Sequence, residues 1–291
     1  MKEQRLVLKC LDSFVLEDIF DCGQCFRWNR QNDGSYIGVI KSGIMRVYAH
    51  NTSIVFEGLL NGDINSIVYD YFDLGTDYGV YKEKLGKIDD NMKRSIEFGS
   101  GIRILNQDLW EIVISFIISA NNNIPRIKGI IERVSERAGK KFSWNGVDYY
   151  LFPTLKEMSD LTADDFRKLG CGFRDKRLYK TTQMILSGEV DLYDLARMDS
   201  TEAIRKELLR LDGVGEKVAD CIMLFALGRR DAFPVDVWVR RVMNELYIHN
   251  ADETKVSKRD LQVCAQNLFG DIAGIAQQYL FDWARSSGRF E

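Results

Sequence analysis

Residues 211–238 read LDGVGEKVADCIMLFALGRRDAFPVDVW, and the rest of the chain is organised around them. Just before them, Asp199 with Glu202 fits a capping box opening a helix whose apolar face is Ile204, Leu208 and Leu209. Gly213 and Gly215 turn the chain. A second helix is expected from about Glu216, with Val218, Ala219, Ile222 and Phe225 inward at helical spacing. Two helices joined by Gly-Val-Gly leave the first amides of the second helix unpaired, and such amides hold a phosphate without any side-chain charge. Lys217 sits in the first turn of that helix. An amine attacks only when neutral, and the positive end of a helix dipole disfavours an ammonium. Asp236 follows Pro234 where a further helix begins, and a carboxylate brought near Lys217 can take its proton or face positive charge developing on a sugar. Singly, each residue has an ordinary reading: Lys217 as a phosphate contact, Asp236 as an N-cap.

Outward from this hairpin the chain divides by period. Over residues 1–100 the pattern alternates in short β-rich runs such as RLVLKCL, SYIGVI and SIVFEG, with turns at Asn32-Asp33-Gly34 and Lys41-Ser42-Gly43. Helices are expected at 64–72 and 76–88, completing an N-terminal antiparallel β-sheet domain with helices. Over 101–291 the period is 3.6, beginning with a nearly all-apolar helix at 107–121, so this region is expected to be all-helical. Pro125, Pro153 and Pro234 fall at helix starts or in loops. The fold class is α+β, with the cleft expected between helical subdomains or against the β-rich unit.

Composition narrows the function classes. With 29% charged residues and no long apolar run, the chain reads as a soluble protein with a cytoplasmic location and no membrane contact. Six cysteines contain only one close pair, Cys22 and Cys25. With two histidines in all, a zinc site is not expected, nor does a four-cysteine run stand near the C-terminus for an iron–sulfur cluster. A net charge of −3, with acidic and basic residues balanced over 101–291, means that any DNA binding rests on local clusters and helix-terminal amides.

GVGEKVADC followed by FPVDVW resembles the helix-hairpin-helix DNA glycosylases, and within them the lysine-bearing 8-oxoguanine DNA glycosylases. CGQCFRW at 22–28, FIISANNNIPRI at 116–127, LGCGFRDKR at 169–177 and AGIAQQYLF at 273–281 carry the resemblance over most of the chain. It implies a bifunctional enzyme that flips 8-oxoguanine out of duplex DNA, excises it through a Schiff base on Lys217 assisted by Asp236, and cuts the strand by β-elimination. It further implies base contacts from the Gly23 carbonyl, Cys221, Gln277 and Phe281. Asn121 would fill the gap in the duplex, Arg126 and Arg174 would face the orphaned cytosine, and Phe173 would act as wedge. Gly213, Gly215 and Trp238 would lie along the DNA backbone. No cofactor is implied for catalysis. A calcium or monovalent ion on the carbonyls of Leu209, Leu211 and Val214 is part of the same resemblance, and monomeric action is expected.

Three positions depart from the family pattern. Trp238 stands where a histidine is common, Phe173 where a tyrosine is, and Phe225 where a methionine is. A relaxed preference for cytosine opposite the lesion is expected from them. Two other readings stay open on sequence: a glycosylase for another oxidised or alkylated base, and a hairpin protein that binds DNA without catalysis.

Overall fold

Strand β1 (Lys2–Lys9) alternates exposed and half-buried side chains along its latter half, as an edge strand with one covered face does. The computed structural model describes residues 1–9 and 11–288 and continues through α1 (Leu16–Phe20), β2 (Trp28–Arg30), β3 (Tyr36–Ile40), β4 (Gly43–His50) and β5 (Ser53–Leu60). These strands form one antiparallel sheet in the order β1-β5-β4-β3-β2. Gly43, after the Lys41-Ser42 turn, must be glycine: at φ +139° a side chain there would meet the Leu59 carbonyl at 2.1 Å. One face of the sheet packs with α1 and α2 (Ile64–Tyr71) over an aromatic core, in which Phe20 stacks on Trp28 with centroids 4.2 Å apart.

Helices α3 (Tyr78–Gly86) and α4 (Asp90–Phe98) belong by sequence to the β-rich unit, yet they bury Leu85, Met92 and Ile96 in the core of the helical body. That core surrounds α5 (Leu109–Ser119), which Asp108 caps and which buries every side chain from Ile112 to Ile118. α6 (Ile124–Ala138) starts at Asn123 with Pro125 in its first turn. The helical region then carries one hairpin that periodicity did not mark, β6 (Lys141–Trp144) and β7 (Val147–Tyr150). Its turn is Asn145-Gly146, both at positive φ, the combination that two-residue hairpins favour. Trp144 packs on Val39 and Ile44 of the sheet, tying the two regions together.

The remaining helices are α7 (Leu155–Met158), α8 (Ala163–Phe166), α9 (Asp175–Leu186), α10 (Leu192–Arg197), α11 (Thr201–Leu208), α12 (Glu216–Ala226), α13 (Val237–Met243), α14 (Lys258–Phe269) and α15 (Ala273–Ser286). The expected capping box at the start of α11 is corrected. Ser200, not Asp199, caps it through the Ala203 N–H, and Glu202 pairs with Arg205 at 3.1 Å. Ile204 and Leu208 are buried as expected, whereas Leu209 is exposed because the helix has ended there. Val218, Ala219, Ile222 and Phe225 are all buried on α12, which packs against α5. α15 returns to the front of the chain, where Gln278 Nε2 donates to the Cys22 carbonyl at 2.7 Å. No helix among the described residues is long and apolar enough to cross a membrane.

Candidate active site

Four separate segments meet at α12. Lys217, Asp236, Gly23, Cys221, Gln277 and Phe281 line one cavity, with Phe116 of α5 and Phe225 of α12 also in its wall. The Lys217 Nζ lies 5.2 Å from the Phe116 ring centroid, and Phe116 in turn stacks on Phe225 at 5.6 Å. An aromatic floor beneath an amine excludes water while offering the ring face to positive charge. Asp236 does two jobs at once. Its Oδ1 accepts from the Val239 N–H at 2.8 Å, capping α13, while its carboxyl feels the charge of Lys217. Burial pushes the Asp236 carboxyl above the usual carboxylate range; the Val239 hydrogen bond and the Lys217 charge pull the other way. Burial also pushes the Cys221 thiol, one turn beyond Lys217, up to about 11, against the pull of the lysine's charge.

The residues expected to face the base line the cavity, and Gly23 is held from outside it. Gly23 sits at φ +84° in a loop fixed by Gln24, whose side chain donates to the Ile19 and Arg103 carbonyls and accepts from the Leu105 N–H. Gln277 is 4% exposed, and its Oε1 has no hydrogen-bond partner among the described residues. A buried acceptor left unpaired is unfavourable by about 1–3 kcal/mol, and in the wall of a cavity it is open to a donor from within. The cavity measures only about 40 Å³, room for roughly one water. A larger cavity of about 360 Å³ between β3 and α5 contains neither Lys217 nor Asp236, so size alone does not mark the chemistry.

The residues expected at the duplex lie after the end of α5 and just ahead of α9. Asn121 follows the end of α5 at φ +51°, a conformation asparagine tolerates, and is exposed, as are Arg126 and Phe173. Arg174 is not. It is 2% exposed, donating through Nε to the Ala120 carbonyl at 2.9 Å, through Nη2 to Asn121 at 2.9 Å and through Nη1 to Cys171 at 3.1 Å. These bonds hold the Arg174 guanidinium in place and engage most of its five N–H donors. In the hairpin, Gly213 has φ +90°, and a side chain there would meet Arg177 at 3.1 Å and Ile117 at 3.2 Å. Thr181 holds the turn onto α9 through the Asp212 carbonyl at 2.6 Å. Gly215 is the exposed N-cap of α12 and offers no capping side chain. The Leu211 carbonyl already accepts from the Val214 N–H at 3.2 Å, and Trp238 lies in the first turn of α13 with the Arg241 guanidinium 5.3 Å from its ring. Gly213→Ala is expected to lower stability by about 1 kcal/mol or more, from strain and crowding together, and to weaken binding to undamaged duplex. Thermal melting and fluorescence anisotropy measure the two effects.

Comparison with known proteins places this geometry. Residues 7–113 match the family of the 8-oxoguanine DNA glycosylase N-terminal domain, and residues 114–266 match the HhH-GPD superfamily of base excision DNA repair proteins. The chain belongs to the 8-oxoguanine DNA glycosylases of that superfamily. It is 42% identical to the 8-oxoguanine glycosylase/lyase of Clostridium acetobutylicum in complex with duplex DNA containing cytosine opposite 8-oxoguanine, with a TM-score of 0.93 over 98% of this chain and 97% of that one. A probable N-glycosylase/DNA lyase of Methanothermobacter thermautotrophicus is 35% identical over 220 residues, 69% of each chain. The N-glycosylase/DNA lyase OGG1 of Arabidopsis thaliana is 28% identical, spanning 90% of this chain and 75% of its own length.

Sequence reasoning left several supports of this glycosylase's cavity unassigned. Phe116 reads as one apolar residue in an apolar helix, and nothing in the sequence says that it faces Lys217. Gln24 and Gln278 read as polar residues of ordinary kind, although Gln24 lies inside CGQCFRW and its burial is what orders Gly23. A glutamine amid apolar neighbours was the available signal, because a buried amide must find partners.

Proposed function

We propose that this glycosylase removes 8-oxoguanine from duplex DNA through a covalent lysine intermediate and then cleaves the strand as a lyase. The observation that carries the reading is the meeting of Lys217 and Asp236 in one cavity with the unpaired, buried Oε1 of Gln277. Lys217 Nζ attacks C1′ of the deoxyribose as the glycosidic bond breaks and its electron pair leaves with the base. The carboxylate of Asp236 faces the positive charge that develops on the sugar and relieves the amine of its proton. Ring opening gives the Schiff base. Loss of a C2′ proton then expels the 3′ phosphate oxygen, so that the strand breaks without water or an added cofactor.

The recognition roles follow the chemistry of each group. An acceptor at Gln277 suits the N1–H and N2–H donors that guanine presents along its Watson–Crick edge. The Gly23 carbonyl suits the N7–H that oxidation adds, and Cys221 and Phe281 take the two faces of the base. On the duplex side, Asn121 fills the vacated stack, Phe173 wedges, and Arg126 with Arg174 faces the orphaned cytosine. Gly213, Gly215 and Trp238 hold the backbone, and the carbonyls of Leu209, Leu211 and Val214 hold a calcium or monovalent ion against a phosphate. The protein acts on DNA as a monomer in the cytoplasm. The test is a set of duplexes bearing 8-oxoguanine, thymine glycol or alkyladenine, followed for base release and for borohydride trapping. Release and trapping confined to 8-oxoguanine support the reading; trapping on thymine glycol or alkyladenine instead would replace it. Because Phe173 lacks a hydroxyl, and Trp238 and Phe225 also depart from the family pattern, cleavage rates opposite cytosine, thymine, guanine and adenine are expected to lie close together, within about tenfold. A strong cytosine preference in single-turnover kinetics removes that expectation.

A further inference from the structure

The cavity cannot admit a base as it stands, and the side chains that close it are identifiable. Phe281 rests against Gly23, where a side-chain carbon would lie 3.1 Å from its ring. Arg285, one turn further along α15, covers the pair. Its guanidinium carbon is 5.1 Å from the Phe281 ring centroid, and its Nη1 would lie 3.0 Å from a side-chain carbon at Gly23. Its Nη2 donates to the Asp21 carbonyl and pairs with Asp282 at 3.3 Å. One side chain is therefore joined to the loop ahead of Gly23, to its own helix and to the ring that fills the base's place. With the arginine side chain 21% exposed, water screens the cation–ring attraction only partly. Arg285 does not line the cavity, although its charge reaches Asp236 and favours the carboxylate there.

We infer that Arg285 is the latch of the base pocket: a positioning residue that keeps Phe281 closed on Gly23 until an extruded base displaces the ring. The inference rests on reading the cavity as the base pocket. A latch lowers the fraction of protein ready to bind, and apparent affinity falls by that fraction. Its removal tightens binding while leaving the covalent step alone wherever Asp236 stays ionised. Guanine and 8-oxoguanine gain alike, because both need the same opening.

Two measurements on the full chain test this. In the free protein, 4-fluorophenylalanine at position 281 reports the ring's environment by fluorine NMR. Arg285→Ala should shift or broaden that signal, and Arg285→Lys, which keeps a cation near the ring, should restore part of the original one. In a Lys217→Gln background, Arg285→Ala should bind the 8-oxoguanine duplex roughly 3- to 10-fold more tightly. With Lys217 present, its single-turnover rate at saturating protein should equal that of the parent at alkaline pH, where Asp236 is ionised with or without the Arg285 charge. An unchanged fluorine spectrum overturns the latch, and so does weaker or equal binding. If the parent protein fails to process 8-oxoguanine, the functional reading is lost, while the fluorine experiment, which uses no DNA, still decides the latch.

Discussion

Lys217→Gln should abolish borohydride trapping and strand cleavage on 8-oxoguanine duplex, with base release falling on the order of 10⁴-fold or more. The amide keeps much of the side chain's length over the Phe116 ring but has no nucleophilic lone pair on nitrogen. Binding to the same duplex should survive, since the hairpin amides and the base-facing groups are untouched. The result separates the two functions that a lysine on a hairpin can have. A phosphate contact would lose affinity and keep its chemistry; a nucleophile loses chemistry and keeps affinity. A trapped complex from the Lys217→Gln protein would end the mechanism proposed for it.

Asp236→Asn should lower the single-turnover rate by about 10²- to 10⁴-fold with little change in DNA affinity. Asparagine is as good an N-cap as aspartate, so the hydrogen bond to Val239 is kept and the fold is not confounded. Asp236→Ala removes the cap as well, at about 1 kcal/mol, and the difference between the two melting temperatures isolates the structural role. The carboxyl also gives opposite pH signs to activity and stability. Burial raises its folded pKa, so activity should begin to fail, as pH drops, at a higher pH than an ordinary carboxylate would give. Its contribution to folding is fully present below the unfolded pKa and is lost as pH rises through the raised folded value. The asparagine variant should therefore gain stability relative to the parent as pH rises. Melting curves across that range that stay parallel would contradict the burial argument.

How much of this was legible depended on how local each cause was. Glycines, caps and helical spacing are local, so the hairpin, the central helix α5 and the start of α13 read directly from sequence. Even there the α11 cap fell one residue early, because Asp199 and Ser200 are both good caps and only the backbone path chooses Ser200. Asn145-Gly146 was a legible hairpin signal that the surrounding helical period masked. Arg174 is a different case. Nothing near it in sequence announces burial, since the carbonyls that bind it belong to Ala120 and Asn121, more than fifty residues away. The closed state of the cavity was equally hidden, for Phe281 lies on Gly23 only through the packing of α15 on the loop at 21–25. The residue types that do the chemistry were visible; whether each stood ready was not.

The hydrogen bond from Gln278 to Cys22 spans 256 positions of the chain. During synthesis, then, the loop carrying Gly23 waits without its opposite wall until α15 has left the ribosome, long after Lys217 and Asp236 have emerged. A growing chain displays the hairpin and its amine but no pocket able to grip a base. The pocket is complete only as a late event, and a fragment that ends before α15 lacks one of its walls.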